Sequence, residues 1–549
     1  MRGTVKCMIN FKKTISRANK KVPLKIAATI LAGSSLIASL LGLLRDRLLN
    51  GLYYNTYPTG IDAYTVAFTI PDFMFFILVS GALSVTFIPV FNQRLATGNK
   101  RSAWELSTSL LNLLALVTLA TSILIIIFAE PLVKYVVGPG LDESSTLLAV
   151  SMMRVIAVNP FLFAVATVFA SMQQAVGRFA FFALAPVLYN IGIIIGAMFF
   201  TNGISLFGVE IFEGGIMGVA LGVVLGSILQ LLVSSLGLYG MGFDYRFKIF
   251  WRNKGFRQVL RLLPPRSLDQ GMDYVNSIVE TNLASRLAAG SVRAYQQATS
   301  LSFVPINLIG VAISTAAFPK MTERLGQGRP DLFRNELQSV LRVIIWLALP
   351  VSVIAYFGRG YLVNFINNGG DQYMSSILAI LAVSILFRSI YFISARSFYA
   401  QQDTKTPLYI SFFTIGTNII LAIWFTFGLD AGVYGLAWAA VITSILEVVI
   451  LFYIMERRIK NLFNTKFVGA VVRMASATGF MGIITYIMVA LFPLSANDQS
   501  FFSSFPKFAL IVAVSIISYI IICRLFKLSE VNPIITRIKN ILFKQPTVG

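Results

Sequence analysis

The residues of this sequence able to do chemistry are charged side chains set inside apolar stretches. Arg45 and Asp46 close one such stretch, Arg47 follows, and Asp62 opens the next. An arginine held by a carboxylate suits an anionic ligand, because its planar guanidinium binds phosphate oxygens in pairs and stays charged when partly desolvated. The alternative is an interfacial cluster that snorkels to water and neutralises itself. Residues 264–288 form the least apolar stretch, punctuated by Arg266, Asp269, Asp273, Glu280 and Arg286 with Asn276 and Asn282 between them. Each charge at mid-bilayer costs about 2.5–3.5 kcal/mol on insertion scales. Asp269, Asp273 and Glu280 share one helical face, which predicts the wall of a water-filled cavity; internal salt bridging to Arg266 or Arg286 is the structural alternative. Arg154, Arg388 and Arg396 are further cations within apolar stretches. Each could pair with a carboxylate, or several facing one cavity could hold a phosphate or another anionic head group.

Pro71 and Pro89 lie in one apolar stretch, Pro305 and Pro319 in another. Each removes a backbone donor and bends its helix, which serves either packing or a gate. Histidine is absent and the only cysteines are Cys7 and Cys523, so a Cys/His zinc site, a disulfide framework and histidine-based catalysis are unavailable. No Walker-type glycine loop, metal motif or catalytic dyad stands out. The expectation is a protein that is not an enzyme and uses no cofactor.

The elements that must position these residues follow from composition. Of 549 residues, 56% are apolar and 12% charged, against about 25% charged in a soluble domain. Apolar runs long enough to cross roughly 30 Å of hydrocarbon recur from Lys25 to Arg524. The pattern predicts an all-α polytopic membrane protein with fourteen spans, near residues 26–44, 62–93, 104–129, 145–173, 179–201, 215–242, 258–288, 293–318, 338–357, 373–399, 408–428, 433–456, 467–493 and 506–523. The apolar stretch after Lys25 exceeds a usual signal core and reads as a retained first span.

The formal charge of +22 is spread over short loops rather than gathered in one basic domain, which argues against a nucleic-acid partner. Arg94 with Lys100 and Arg101, Arg178, the run from Arg246 to Arg257, Lys320 to Arg334, Lys405, Arg457 to Lys466 and the tail after Arg524 all fall on one side if the spans alternate. By the positive-inside rule that side, with both termini, is expected to be cytoplasmic in a bacterial plasma membrane.

Gly215-Ile216-Met217-Gly218-Val219-Ala220 with Ser227-Ile228-Leu229-Gln230 recurs as Gly432-Val433-Tyr434-Gly435-Leu436-Ala437 with Ser444-Ile445-Leu446-Glu447. Weaker echoes keep the same order: Ile88-Pro89 with Phe318-Pro319, and Gln173-Gln174 with Gln401-Gln402. Chance recurrence of small-residue packing patterns is the alternative. The repeat predicts two parallel six-helix lobes: a basic segment 1–25, an N-lobe 26–242, a linker 243–257, a C-lobe 258–457, two further helices within 458–523 and a basic tail 524–549.

Several segments in order resemble the lipid II flippase family, MurJ (also MviN), of the multidrug/oligosaccharidyl-lipid/polysaccharide exporter superfamily. They are Gly42-Leu43-Leu44-Arg45-Asp46; Asp62-Ala63 through Ala67-Phe68 and Pro71; Gly81-Ala82 to Phe87-Ile88-Pro89-Val90-Phe91; Arg178-Phe179, Ala185-Pro186 and Asn190; Gly290-Ser291-Val292; and Phe398-Tyr399 with Gln402-Asp403-Thr404-Lys405-Thr406-Pro407. The resemblance implies a cationic cavity that moves an undecaprenyl-linked peptidoglycan precursor from the inner to the outer leaflet by alternating access. Arg45 and Asp62 fall on charged positions the family depends on, with Asp46 beside Arg45. Ser39, Phe75 and Ser300 stand where the family has arginines.

Arg45, Asp46, Asp62 and Arg293 are therefore the candidate substrate-binding residues, and Asp269, Asp273, Glu280, Arg286, Arg154 and Arg396 the cavity or ion-coupling candidates. Pro71, Pro89, Pro305 and Pro319 are the candidate gates. Expected partners are a lipid-linked oligosaccharide, membrane lipids and a coupling cation, with the chain acting as a monomer. A flippase for another polyprenyl-diphosphate-linked glycan and a non-transporting membrane scaffold are the alternative functions.

Overall fold

The computed structural model describes residues 24–80, 86–206, 209–495, 498–532 and 536. It is built almost wholly of helices. In the first half these are α1 (Leu24–Leu49), α2 (Pro58–Phe75), α3 (Ile88–Ala96), α4 (Lys100–Pro131), α5 (Glu143–Ile156), α6 (Asn159–Ala175), α7 (Ala180–Phe199), α8 (Met217–Leu236) and α9 (Lys254–Ser285). The second half holds α10 (Ser291–Ile306), α11 (Ala312–Gly326), α12 (Pro330–Phe357), α13 (Arg359–Ile366), α14 (Gln372–Ala400), α15 (Lys405–Ile423), α16 (Val433–Arg458), α17 (Thr465–Leu491) and α18 (Phe501–Leu525).

Thirteen helices among the described residues are long and apolar enough to cross a bilayer. The expected seventh span, α9, forms a single helix of 32 residues, but the polar residues along it keep it out of that set. The architecture is an all-helical multi-pass membrane protein of about fourteen spans. Polar residues mark where helices begin: Asn99, Asp142, Asn253, Asp371, Asn464 and Ser500 each accept a backbone N–H from the first turn of the helix they precede.

By packing, the chain forms two compact units, residues 1–293 and 294–549. In the first, α9 packs with α2, α3 and α4, so it groups with the preceding helices although the repeat places its lobe boundary at 243–257. One core of this unit is filled by Phe87, Phe91, Leu106, Leu110, Phe256 and Val259, all fully buried. The tightest pair is α7 against α8: a Cβ on Gly192 would lie 2.3 Å from Gly226 Cα, and one on Gly196 would lie 2.4 Å from Gly222 Cα. Glycines spaced four apart on both helices let the backbones touch, the usual device where lipid supplies no hydrophobic drive.

The second unit has a core between α12, α14, α16, α17 and α18 that includes Phe333, Ile344, Phe398, Met455 and Met474. Here Gly435 approaches the backbone of Phe425 and Thr426, much as Gly218 approaches Phe200 and Thr201 in the first unit. These are the glycines of the sequence repeat.

Pro71 lies inside α2, which runs into a π-helical turn at Phe76–Ser80; Pro305 is near the end of α10, followed by another at Asn307–Val311. Such turns widen the helix where the i→i−4 ladder is interrupted. Pro89 sits in the first turn of α3, and Pro319 lies within α11. One element was not read from the sequence. Strands β1 (Ile204–Leu206) and β2 (Val209–Phe212) pair antiparallel in the connection between α7 and α8.

Candidate functional site

The last turn of α1 and its continuation, a π-helical turn at Asn50–Tyr54, present Arg45, Asp46 and Asn50. Arg45 donates through Nε and Nη2 to Asp46 Oδ1, at 3.2 and 3.0 Å, and through Nη1 to Asn190 Oδ1 of α7 at 3.2 Å. Asn190 is itself fixed, donating to the carbonyls of Ala38 and Pro186. The Arg45 guanidinium is thus oriented from two helices before any ligand arrives.

The same Asp46 oxygen accepts from a second cation. Arg293 Nη2 lies 3.4 Å from Asp46 Oδ1, and its Nε donates to Asn50 Oδ1 at 2.9 Å. Arg293 is 4% exposed, whereas the Arg45 side chain is 26% exposed. Two guanidiniums share this carboxylate, and Arg45 is the more exposed of the two. A partly buried cation of this kind attracts an anion more strongly than one in bulk water, because the local dielectric is lower.

Asp62 occupies a different place from that expected of a ligand-contacting group. It is 3% exposed. Its Oδ2 accepts the Gly290 N–H at 2.6 Å and its Oδ1 accepts the Arg293 N–H at 2.8 Å. A carboxylate taking backbone donors at a helix start neutralises orphan amides and interacts favourably with the helix dipole. Gly290 has φ +88°, a conformation that only glycine adopts freely, so the chain can turn its amide towards Asp62. Asp62 therefore places the backbone of Arg293, and through it the second cation.

The structure gathers Arg45, Asp46, Asp62 and Arg293 into one cluster. It adds members that sequence reasoning did not select. Asn50 follows Asp46 by one helical turn, the spacing at which side chains on a helix meet, and that was the available signal. Asp72 is near enough to Arg45 to act on it electrostatically; it follows Pro71 in α2 and had no local mark of its role.

The other candidates lie elsewhere. Arg154 is exposed and donates to the Ile126 carbonyl at 3.3 Å. Glu280 accepts from Asn276 at 2.9 Å, and Arg286, exposed at the end of α9, donates to Asn282 at 3.2 Å. Arg396, in the second unit, donates to the hydroxyls of Ser314 and Thr315 on α11. The side chains of Asp269 and Asp273 lie outside the described residues.

Phe75, Ser39 and Ser300, the positions that the resemblance marks as arginines, have different surroundings. Phe75 stacks edge-on to Phe163, ring centroids 5.3 Å apart, within a row that continues to Tyr189 on one side and to Phe76 and Tyr274 on the other. Ser39 lines a groove of about 350 Å³ formed by α1 and α7, and Ser300 is exposed in the second unit.

Residues 58–505 match the model of the family described as Lipid II flippase MurJ. The chain belongs to the MurJ family. A protein from Thermotoga maritima named probable lipid II flippase MurJ is 25% identical over 506 residues, covering 90% of this chain and 95% of its own length. One of the same name from Bdellovibrio bacteriovorus is 26% identical, covering 80% and 83%. The solved inward closed structure of a lipid II flippase MurJ shares the fold, with a TM-score of 0.72 at 23% identity over 91% of this chain and 98% of that one. An inward-facing multidrug transporter of the MOP superfamily aligns with a TM-score of 0.65 at 18% identity over 80% of this chain and 99% of that one, so the fold is common to that MurJ and a drug transporter.

Proposed function

We propose that this chain moves lipid II, a polyprenyl-diphosphate-linked peptidoglycan precursor, from the inner to the outer leaflet of a bacterial plasma membrane. The observation that carries this reading, beside the family, is Arg45: a preoriented, partly exposed guanidinium on an intramembrane helix, backed by a second cation. In this reading Arg45 engages the diphosphate. Asp46 and Asn190 hold the fork in place, Arg293 supplies additional positive potential from behind, and Asp62 fixes Arg293.

Transfer would proceed by alternating access, with the π-helical turns beside Pro71 and Pro305 as the places where helices bend. An ion gradient or the membrane potential would supply any driving force, and the chain would work as a monomer with both termini cytoplasmic.

A second reading rests on Phe75. An aromatic row where the family has an arginine reduces the cationic character of the site and offers ring faces, so another polyprenyl-diphosphate-linked glycan becomes the alternative cargo. Expression in a strain depleted of its own lipid II flippase distinguishes these. Restored lipid II translocation, lost at least tenfold in Arg45→Ala, is the expected result. Correct membrane insertion without restored translocation would overturn the lipid II reading, and transport of a different glycan by reconstituted protein would establish the second. Unchanged phenotype on reversing Arg45 and Asp62 would instead support a scaffold.

A further inference from the structure

A second polar site lies apart from the Arg45 cluster, where the start of α4 meets the segment joining α8 to α9. It is a pocket of about 700 Å³ lined by Arg94, Arg101, Lys248, Arg252 and Lys254, with Glu105 as its one carboxylate. Glu105 is already occupied, accepting from Arg101 at 3.1 Å. Among the described residues, Arg94, Lys248, Arg252 and Lys254 have no carboxylate partner, and Arg94 Nε is buried without any hydrogen-bond acceptor.

The pocket is built rather than incidental. Asn112 donates to the carbonyls of Arg246 and Lys248 at 2.9 and 3.1 Å, Tyr245 donates to Asn112, and the Phe250 N–H donates to Ser109 Oγ at 2.8 Å. Asn253, 8% exposed, donates to the Ser102 carbonyl at 3.0 Å while its own Oδ1 caps α9. Five cations are therefore held about one cavity with a single carboxylate among them, an arrangement that attracts an anion.

The same segment identifies the anion's source. Phe247 is 93% exposed, and Trp251, Tyr245 and Tyr239 are 54%, 50% and 46% exposed. A bare phenyl ring in water is unfavourable, while aromatic rings beside clustered cations suit the junction of acyl chains and head groups. The segment also follows α8, which is long and apolar enough to cross a bilayer, so its start lies near that junction. We propose that this pocket binds the phosphate head group of an acidic phospholipid in the leaflet bordering the basic loops, with Phe247 and Trp251 seated among the lipid chains. This site is independent of the cargo carried at Arg45.

The test uses the full chain purified with phosphatidylglycerol or phosphatidylcholine and analysed by native mass spectrometry and thermal unfolding. The expected result is preferential retention of, and stabilisation by, phosphatidylglycerol. Each neutralised cation should weaken retention roughly fivefold, so K248Q/R252Q/K254Q abolishes the preference, and Phe247→Ser lowers retention while leaving the helical content unchanged. Equal retention of the two lipids, or a preference that survives the triple variant, would overturn the proposal. Inorganic phosphate displacing the lipid at equal concentration would overturn the lipid assignment in favour of a soluble phosphate.

Discussion

Asp46 carries the electrostatic balance of the Arg45 cluster. One of its oxygens faces both Arg45 and Arg293, so neutralising it removes the carboxylate that the two guanidiniums share. Asp46→Asn is expected to reduce translocation at least tenfold and to lower stability by about 1–3 kcal/mol, read from transport assays and thermal unfolding in detergent. An unchanged rate would show that the shared carboxylate is dispensable. Asp62 is expected to separate the two readouts. Its carboxylate serves two backbone amides and is buried, so Asp62→Ala should cost roughly 2 kcal/mol and Asp62→Asn less, since one acceptor remains. The loss of transport in these variants should follow the displacement of Arg293, seen as non-additivity with Arg293→Ala in a double-mutant cycle.

At the scale of elements, the α7–α8 contact and the connection before α18 make separate predictions. Backbone contact at Gly196 and Gly222 leaves no room for a side chain. Gly196→Leu should separate the helices and destabilise the protein by about 1–3 kcal/mol, whereas the same change at Gly33, whose added Cβ would meet nothing within 4 Å, should be tolerated.

Asp498 ties down the approach to α18. Lys507 Nζ lies 2.7 Å from Asp498 Oδ2, Ser495 donates to that same oxygen, and Asn364 of α13 donates to the Asp498 carbonyl. The Lys507 ammonium and the Ser495 amide hold the Asp498 carboxyl at about 2, below its ordinary value near 3.8. At Asp403, partial burial works against ionisation but is outweighed by bonds from Thr406 and Arg458, which bring it to about 2 as well. A carboxylate with a depressed folded value stabilises the fold fully above its unfolded value and loses that contribution as pH falls through the folded one. The unfolding temperature should therefore drop between about pH 4 and 2, and Asp498→Asn should flatten that dependence. A slope unaffected by the substitution would show that other carboxylates dominate.

For the whole molecule, the distribution of basic loops predicts sidedness. With Cys7 and Cys523 replaced by alanine, a cysteine at Gln327 should react with a membrane-impermeant maleimide only when the cytoplasmic face is open. One at Asn368 should react from the opposite face. Both positions are exposed at chain turns. Labelling of both from one side would overturn the alternating topology.

What the sequence determined by itself was of short range or additive. Apolar runs of bilayer length set the class and about fourteen spans, because an apolar helix satisfies its own backbone in lipid regardless of its neighbours. The Arg45-Asp46 pair was visible because its members are adjacent. The tertiary structure decided which charges meet. Asp62 binds amides 228 and 231 residues away, and no local pattern encodes that reach. It likewise set Asp62 against the backbone of Arg293, surrounded Phe75 with aromatic rings, and gathered α9 with α2 to α4. Each of these depends on packing between distant segments, where desolvation and hydrogen-bond geometry rather than residue type fix the role of a charge.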